Sequence, residues 1–242
     1  MSKFCWDLNL NSPVCSFPPV SHASRLDEWC QRTPKNYQVW FHRRWLIERL
    51  LEHSVLPKEQ LYTNELERIH EFIENEPKHY NAWTHKLFLA TIFDVFSRDP
   101  GAELAFTEKY IELDVRNNSA WSYRRHCIEK IYISDNLHDE IEFTLRHISK
   151  SISNESPWVY LRSLPSWFLH DGLETFCERI FNNDRMDESS PPDLRHVGDT
   201  LAIIYESTGR ISRAREIRDK LASIDPNRQS FQQYRKTKLS VS

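Results

Sequence analysis

The stretch YQVWFHRR at residues 37–44 decides the fold, because the chain repeats its pattern three more times. Residues 80–86 read YNAWTHK, residues 118–125 read NSAWSYRR, and residues 155–162 read ESPWVYLR. The four tryptophans lie 43, 38 and 37 residues apart. A spacing of this size fits one helical hairpin per repeat, with each hairpin burying a face on the next. The sequence therefore predicts a solenoid of helical hairpins.

Within the first copy, a three-residue spacing predicts that Tyr37, Trp40 and Arg43 share one helix face. The tryptophan would fill the gap between hairpins, and the arginine would pair with an acid of the neighbouring repeat or extend its charged head to solvent. His42 and His85 follow their tryptophans at the same offset. We therefore interpret both histidines as parts of the repeat and not as metal ligands.

Apolar residues elsewhere in the chain follow helical spacing. One such stripe consists of Tyr62, Leu66, Ile69 and Ile73. Breaks between the stripes are short, and the DPG at residues 99–101 is typical of a turn. Only four glycines occur, which argues against sheet-rich folds and against a glycine-rich phosphate loop.

These patterns predict an all-α fold, a right-handed α-α superhelix. We expect residues 1–22, with three prolines and several serines, to be a poorly ordered leader. Residues 23–242 are predicted to form a single α-helical repeat domain. The cores of its repeats are expected near residues 34–50, 77–93, 114–131 and 153–168.

Composition narrows the class of protein. With 32 basic and 35 acidic residues the net charge is −3, so no basic surface for nucleic acid is expected. The five cysteines are scattered, as reduced cytosolic thiols are. The N-terminus has no secretion signal and no stretch approaches 18 apolar residues, so no membrane span is expected. We expect a soluble, cytoplasmic protein.

Other clusters of polar residues carry weaker signals. His138 with Glu140, and Asp193 with His196, lack metal-ligand spacing to any partner in the sequence. The alternation of arginines with apolar residues around Arg213, Arg215 and Arg218 is typical of a solvated helix face. No metal site is predicted for this chain.

The amino-acid sequences of the repeats resemble those of a known family. PKNYQVWFHRR at residues 34–44 resembles the α-subunit repeat of protein prenyltransferases, whose core reads P/A-K-N-Y-x-x-W-x-H-R. DVRNNSAW at 114–121 and NESPWVYL at 154–161 are similar to the later repeats of that family, in the same order. The R-N-N-S-x-W form resembles the α subunit shared by farnesyltransferase and type I geranylgeranyltransferase more than that of Rab geranylgeranyltransferase.

The resemblance implies a heterodimeric transferase. Its α subunit scaffolds a β subunit, and the pair transfers farnesyl or geranylgeranyl from the isoprenoid diphosphate to a cysteine near the C-terminus of target proteins. The expected partners are therefore a β subunit, an isoprenoid diphosphate and C-terminal peptides. Zinc and magnesium are expected with the β subunit, and no cofactor is expected on this chain.

Site residues carried over by motif fall on two repeats. PKHY at residues 77–80 and RNN at 116–118 assign Lys78, Tyr80 and Asn117 to the isoprenoid diphosphate. Asn81 falls where the resemblance implies a contact with the carboxylate of the peptide. A lysine at a turn before a helix suits an anion, because the helix start presents free N–H groups. Each residue also has an ordinary role: a solvated surface group for Lys78, packing for Tyr80 and a helix cap for Asn117.

The chain also departs from the family pattern. Related α subunits usually carry one more repeat before the PKNYQVW copy, whereas here only residues 21–33 are expected to form a helix ahead of it. His79 replaces the usual asparagine between the lysine and the tyrosine. Two alternatives therefore stay open, which are a non-catalytic tetratricopeptide-like scaffold and a degenerate α-like paralogue.

Overall fold

The computed structural model of the chain describes residues 19–33, 35–131, 137–182 and 193–238. Within these ranges the regular secondary structure consists of α-helices and short 3-10 turns, with no β-strand. The all-α prediction is confirmed. Across the same ranges, no helix is both long and apolar enough to cross a membrane.

Contacts along the chain define two compact units, Met1–Arg98 and Asp99–Ser242. In the first unit α1 packs on α2, α3 packs on α4, and α2 also contacts α4. The described helices of this unit are α1 (Pro19–Arg32), α2 (Tyr37–Glu52), α3 (Lys58–Asn75), α4 (Tyr80–Ile92) and the short α5 (Val95–Arg98).

The second unit begins with two further hairpins, α6 with α7 and α8 with α9, and continues with α10 on α11, α11 on α12 and α12 on α13. Its described helices are α6 (Pro100–Leu113), α7 (Asn118–Ile131), α8 (Leu137–Lys150), α9 (Glu155–Ser163), α10 (Leu173–Phe181), α11 (Arg195–Ser207), α12 (Ile211–Ile224) and α13 (Gln229–Lys238). Short 3-10 turns at Trp167–Leu169 and Pro226–Arg228 lie between them. Each predicted repeat core coincides with the second helix of a hairpin, namely α2, α4, α7 or α9.

The beginning of the chain departs from the predicted boundaries. Helix α1 starts at Pro19, so the last four residues of the predicted leader are helical, while residues 1–18 lie outside the described residues. Leu26 and Cys30 of α1 are buried. The segment ahead of the first tryptophan repeat thus supplies the first helix of a complete hairpin.

In the first half of α3 the buried residues are shifted by one position from the predicted stripe, from Tyr62 and Leu66 to Leu61 and Glu65. Ile69 and Ile73 are fully buried, as expected, but the line continues through Leu61 and Glu65 and leaves Tyr62 half-buried. A carboxylate therefore occupies a position that hydrophobic periodicity would give to an apolar side chain. Glu65 accepts a hydrogen bond from the buried Arg43.

The residues 99–101 begin a helix, where the sequence predicted a turn. The Asp99 side chain accepts a hydrogen bond from the Ala102 N–H at 3.0 Å, and Pro100 is the first residue of α6. Proline suits this position because its fixed φ matches the helix and its missing N–H would have no helical partner.

One glycine allows a close approach of helices in the second unit. A Cβ on Gly198 of α11 would lie 2.6 Å from Cδ2 of Leu221 on α12 and 2.8 Å from Cε2 of Phe181 on α10. Both distances are shorter than van der Waals contact. A larger residue at position 198 would therefore force the Leu221 and Phe181 side chains to shift.

Candidate functional site

The second helix of every hairpin starts at the same place relative to its tryptophan. A side chain four residues before the indole accepts a hydrogen bond from an N–H of the first helical turn, at 3.0–3.3 Å. The capping residues are Asn36, His79, Asn117 and Asn154. His79 thus replaces asparagine without loss of the cap, because its Nδ1 serves as the acceptor.

The indoles also hold the loop in front of each helix. In three repeats the ring N–H donates to the backbone carbonyl six residues earlier, at 2.8–2.9 Å. The pairs are Trp83 with Pro77, Trp121 with Val115, and Trp158 with Ile152. The corresponding carbonyl for Trp40 belongs to Pro34, which lies outside the described residues. Each loop is therefore fixed at both ends, by the indole and by the cap.

Three of the four predicted site residues lie together at the start of α4. Lys78 is exposed in the loop between the anchored Pro77 and the cap His79. Tyr80 is the first residue of α4 and 70 % exposed, and Asn81 is half-buried next to it. The exposure of Tyr80 rules out the packing role that its position in the repeat suggested. This end of α4 presents an ammonium, a phenol and an amide beside a helix N-terminus.

Asn117 belongs to the second unit and is fully buried. Its Oδ1 accepts a hydrogen bond from the Ala120 N–H at 3.1 Å, so the cap role considered for it is confirmed. The Val115 carbonyl in the same loop accepts hydrogen bonds from both Trp121 Nε1 and Asn154 Nδ2, at 2.9 and 2.8 Å. The Asn117 loop is thereby fixed to its own hairpin and to the next.

A cation missed by the sequence analysis lies near Tyr80. Arg44 of α2 is half-buried, its Cζ is 5.6 Å from the centre of the Phe88 ring, and its buried Nε makes no hydrogen bond with any described residue. Burial lowers the pKa of Arg44, and the nearby Tyr80 and Glu48 oppose that effect. The doubled base after Trp40 was the available signal, since only the first arginine is needed between hairpins. Arg44 adds positive charge to this end of the hairpin.

Buried ion pairs join the hairpins of the first unit. Arg43, 1 % exposed, donates from Nε and Nη2 to the two oxygens of Glu65 at 2.8 and 3.0 Å, and from Nη1 to Asp27. His85 of the same hairpin as Glu65 has its Nε2 3.5 Å from that carboxylate. Although burial opposes ionisation, His85 and Arg43 lower the pKa of Glu65 to about 2. The predicted pairing of Arg43 across repeats is confirmed.

The second unit repeats the arrangement. Arg124 donates to both oxygens of Glu140, and also to Thr107 Oγ1 at 2.9 Å. The Tyr160 hydroxyl donates to the same Glu140 at 2.6 Å. Burial and then Glu140 raise the pKa of Tyr160 well above its usual value, so the phenol stays protonated. Each glutamate therefore links its own hairpin to the preceding one.

The aromatic and histidine side chains next to the repeat tryptophans differ in exposure. Tyr37 is 70 % exposed while Trp40 is 2 % exposed, so the predicted shared face holds only for Trp40 and Arg43. His42 stacks on Trp45 with ring centres 5.3 Å apart, and His85 is buried against Glu65, so both are parts of the repeat as predicted.

The arginine face predicted on α12 is only partly solvated. Arg213 is exposed, but Arg218 is 2 % exposed and pairs with Asp199 and Glu206, both at 2.8 Å. The apolar residues that flank Arg218 in the sequence gave no sign of these acids on another helix. Cys30, Cys127 and Cys177 are buried and form no disulfide bond with any described residue, while Cys5 and Cys15 lie outside the described residues.

The structure places His138 beside a histidine that is distant from it in the sequence. Glu140, the acid grouped with His138 in the sequence, pairs with Arg124. Glu142 and His170 lie beside His138, and the ligand atoms of these three residues are all within 4.8 Å of one another. Asp193, by contrast, pairs with Arg195, which lowers the pKa of Asp193.

Comparison with known proteins agrees with this repeat geometry. The model of the protein prenyltransferase alpha subunit repeat matches residues 24–50, 62–93, 100–131 and 137–168. These segments cover most or all of the tryptophan helices α2, α4, α7 and α9 and of the helix before each. The match covers just over half of the chain.

Among curated proteins, the geranylgeranyl transferase type-2 alpha subunits of Homo sapiens and Pongo abelii are each 35 % identical to this chain over 98 residues. The matched stretch covers 40 % of this chain but only 16 % of each relative.

A solved structure resembles nearly the whole chain. A chain of the Candida albicans protein geranylgeranyltransferase-I complexed with GGPP matches with a TM-score of 0.75 and 25 % identity. The match covers 96 % of this chain and 74 % of that one. Four family repeats in series, with their capped and indole-anchored helices, show that this chain belongs to the protein prenyltransferase alpha-subunit family.

Proposed function

We propose that this chain is the α subunit of a heterodimeric protein prenyltransferase. Its partner would be a β subunit, and the pair would transfer farnesyl or geranylgeranyl to a cysteine near the C-terminus of target proteins. The observation that carries the proposal is the set of four family repeats, each of which contains a capped tryptophan helix. Zinc and magnesium are expected with the β subunit, and none of the roles below depends on them.

The diphosphate is the group for which this chain offers suitable chemistry. In the transfer, a bond forms between the cysteine sulfur and C1 of the isoprenoid while the C1–O bond breaks, and the electron pair leaves with the diphosphate. Cationic and hydrogen-bonding groups held beside the leaving oxygens stabilise that developing charge. Lys78, the Tyr80 hydroxyl and the N-terminus of α4 are such groups, and Arg44 adds a further positive charge.

Rigid placement of Lys78 supports this role. The Pro77 carbonyl is held by Trp83, and the His79 N–H donates to the Glu76 carbonyl at 2.9 Å. The residues on both sides of Lys78 are therefore fixed, which reduces the ordering needed when an anion binds. Asn117 in the second unit and Asn81 for the peptide carboxylate complete the proposed set.

The subtype is proposed from the wording of the repeats. The DVRNNSAW segment favours the α subunit shared by farnesyltransferase and type I geranylgeranyltransferase, and the Candida albicans chain that this protein resembles is described as part of a type I enzyme. The curated relatives are type-2 subunits, so the type-2 β subunit belongs in any test.

The proposal is tested by co-expressing the full chain with β subunits of farnesyltransferase and of type I and type-2 geranylgeranyltransferase. We expect a stable heterodimer with a farnesyltransferase or type I β subunit, and transfer of labelled isoprenoid to a peptide acceptor. Heterodimer formation without transfer would indicate a degenerate α-like paralogue. Absence of any heterodimer would favour a scaffold that has lost the family's partner.

The role of Lys78 has a matched control in the previous repeat. Lys35 also precedes a capping residue and is exposed, and its charge acts on His79, so it lies near the same end of the hairpin. We expect Lys78→Ala to lower kcat roughly 100-fold, as loss of one stabilising group does, and Lys35→Ala to change it by less than about twofold. If Lys78→Ala and Lys35→Ala lower kcat equally, transfer depends on the total positive charge near these loops and not on Lys78 in particular.

A further inference from the structure

A cluster of two histidines and a glutamate lies in the second unit, away from the loops that start the tryptophan helices. His138 and Glu142 are four residues apart on α8, so they share one face of that helix. His170 follows the 3-10 turn Trp167–Leu169 and precedes α10. The available ligand atoms of the three side chains all lie within 4.8 Å of one another.

The ring nitrogens of His170 make no hydrogen bond within this cluster. Its side chain is 4 % exposed, yet neither ring nitrogen makes a hydrogen bond with a described residue. A buried polar group without a partner costs free energy, and native proteins seldom leave one so. Nε2 of His170 lies 3.4 Å from Oε1 of Glu142, which brings the two groups close enough to share a third partner.

That separation fits a metal ion. In a tetrahedral zinc site with bonds of 2.0–2.2 Å, neighbouring ligand atoms lie about 3.4 Å apart. His138 has its ring stacked on His170, with centroids 4.7 Å apart and an angle of 23° between the rings. Because His138 is exposed, its ring can turn from the stack and direct a nitrogen at the same ion.

We propose that His138, Glu142 and His170 bind a divalent transition-metal ion such as Zn²⁺, with solvent completing its coordination. Imidazole and carboxylate ligands suit zinc and its neighbours in the first transition row better than calcium or magnesium. Asp139 in the first turn of α8 supplies a further negative charge, which offsets the positive end of the helix dipole.

The ion would have a structural role. It would connect the first turn of α8 to the segment between α9 and α10, and so fasten the end of one hairpin to the element that follows it. An ion that binds the folded chain and not the unfolded chain raises the stability of the fold by an amount that grows with the logarithm of the ion concentration above Kd.

The test uses the full chain, without an affinity tag, titrated with Co²⁺ and followed by visible absorption. We expect one equivalent to bind with the d–d bands of a nitrogen and oxygen site and without the intense near-ultraviolet band of a thiolate site. Zn²⁺ should displace the Co²⁺ and raise the temperature of unfolding. A chain that binds no Co²⁺ at millimolar concentration overturns the proposal, and so does a thiolate spectrum.

Substitutions of the three proposed ligands test where the ion binds. Substitutions His138→Ala, Glu142→Gln and His170→Ala should each weaken Co²⁺ binding at least about tenfold. The matched control is His126→Ala, since His126 forms a two-residue pair with Glu129 on α7, with Nδ1 3.4 Å from Oε2. His170→Ala alters a buried side chain, so His138→Ala and Glu142→Gln decide the matter if that variant does not fold. Unchanged affinity in these two, or an equal loss in His126→Ala, contradicts the assignment.

Discussion

Arg124 binds both oxygens of the Glu140 carboxylate, with Nε 2.6 Å from Oε1 and Nη2 2.7 Å from Oε2. The two residues belong to consecutive hairpins, on α7 and α8, and both are more than nine-tenths buried. Burial disfavours each charge, while the close bidentate contact stabilises both. The pair therefore connects two consecutive hairpins. Removal of either side chain would leave the charge of the other buried without its partner.

Removal of the arginine from this joint should strongly destabilise the second unit. We expect Arg124→Ala to cost about 3–5 kcal/mol, because Glu140 would stay buried without its cation. The control is the adjacent Arg125, which is more exposed and pairs with Glu129 one turn along the same helix. Arg125→Ala should cost less than about 0.5 kcal/mol in the same urea titration. Similar costs for the two variants would contradict the structural difference between them.

Loss of an indole N–H should loosen the loop that holds Lys78. Trp83→Phe keeps an aromatic ring but removes the donor to Pro77, so this hydrogen bond is lost and we expect a cost of about 1 kcal/mol. Amide hydrogen exchange at His79 should become faster. Trp45→Phe is the control, since Trp45 is half-buried and stacks on His42. Unchanged exchange at His79 in Trp83→Phe would mean that the indole does not anchor the loop.

The cap formed by His79 should make stability depend on pH. Burial lowers the pKa of His79 from its usual 6.5, with Glu76 opposing this effect, and protonation of Nδ1 would remove the acceptor that caps α4. The folded chain thus binds this proton less readily than the unfolded chain. The contribution of His79 is present above pH 6.5 and is lost as pH falls below that value.

Asparagine at the same position would cap the helix without titrating. We expect the His79→Asn variant to match the parent chain near pH 8 and to lose less stability between pH 6.5 and 5, measured by urea unfolding at each pH. A variant whose stability falls with pH as steeply as that of the parent would assign the dependence to other groups.

A phenol-specific effect is expected at Tyr80. If its hydroxyl assists the departure of the diphosphate, Tyr80→Phe should lower kcat of the heterodimer roughly tenfold while the unfolding midpoint stays unchanged. Tyr37 is the first residue of α2 and also 70 % exposed, so Tyr37→Phe removes an equivalent hydroxyl from the previous repeat. Steady-state kinetics with equal rates for parent and Tyr80→Phe would remove the proposed role.

Asn117 caps α7 and is also proposed to contact the diphosphate, so an experiment must separate these two roles. Asn117→Ala should cost about 1 kcal/mol through the lost cap and should also lower kcat/KM for the isoprenoid diphosphate. Asn154→Ala removes a cap of the same kind and a bond to Val115, so it should cost at least as much stability. If the two variants reduce kcat/KM equally, Asn117 acts only through the fold.

The tryptophan helices were predictable from sequence because their period is visible without any knowledge of contacts. Hydrophobic periodicity did not predict the buried acids. Glu65 and Glu140 occupy apolar-stripe positions, where periodicity assigns a charged residue to solvent, although an acid does recur 18 residues before Trp83, Trp121 and Trp158. That recurrence was a usable signal, and it includes Glu103, whose carboxylate accepts from the Tyr123 hydroxyl.

The candidate diphosphate residues were assigned by motif, and their surroundings needed coordinates. Exposure separates Tyr80 from a packing role, while burial and a hydrogen bond give Asn117 a cap. The proposed metal ligands were beyond sequence reasoning for a different reason. His170 follows α9 in the chain, whereas the other two proposed ligands lie on α8. The short ligand spacings by which metal sites are recognised in a sequence do not connect residues so far apart.

Substitution of a shared carboxylate affects three side chains at once. A leucine in place of Glu140 would leave Arg124 with an uncompensated charge and Tyr160 with an unsatisfied hydroxyl. Simultaneous replacement of all three by apolar residues would leave neither deficit, so a triple variant should tolerate denaturant better than the single one. These positions can therefore change safely only as a set, and mutational scans that alter one residue at a time will overstate how indispensable each member is.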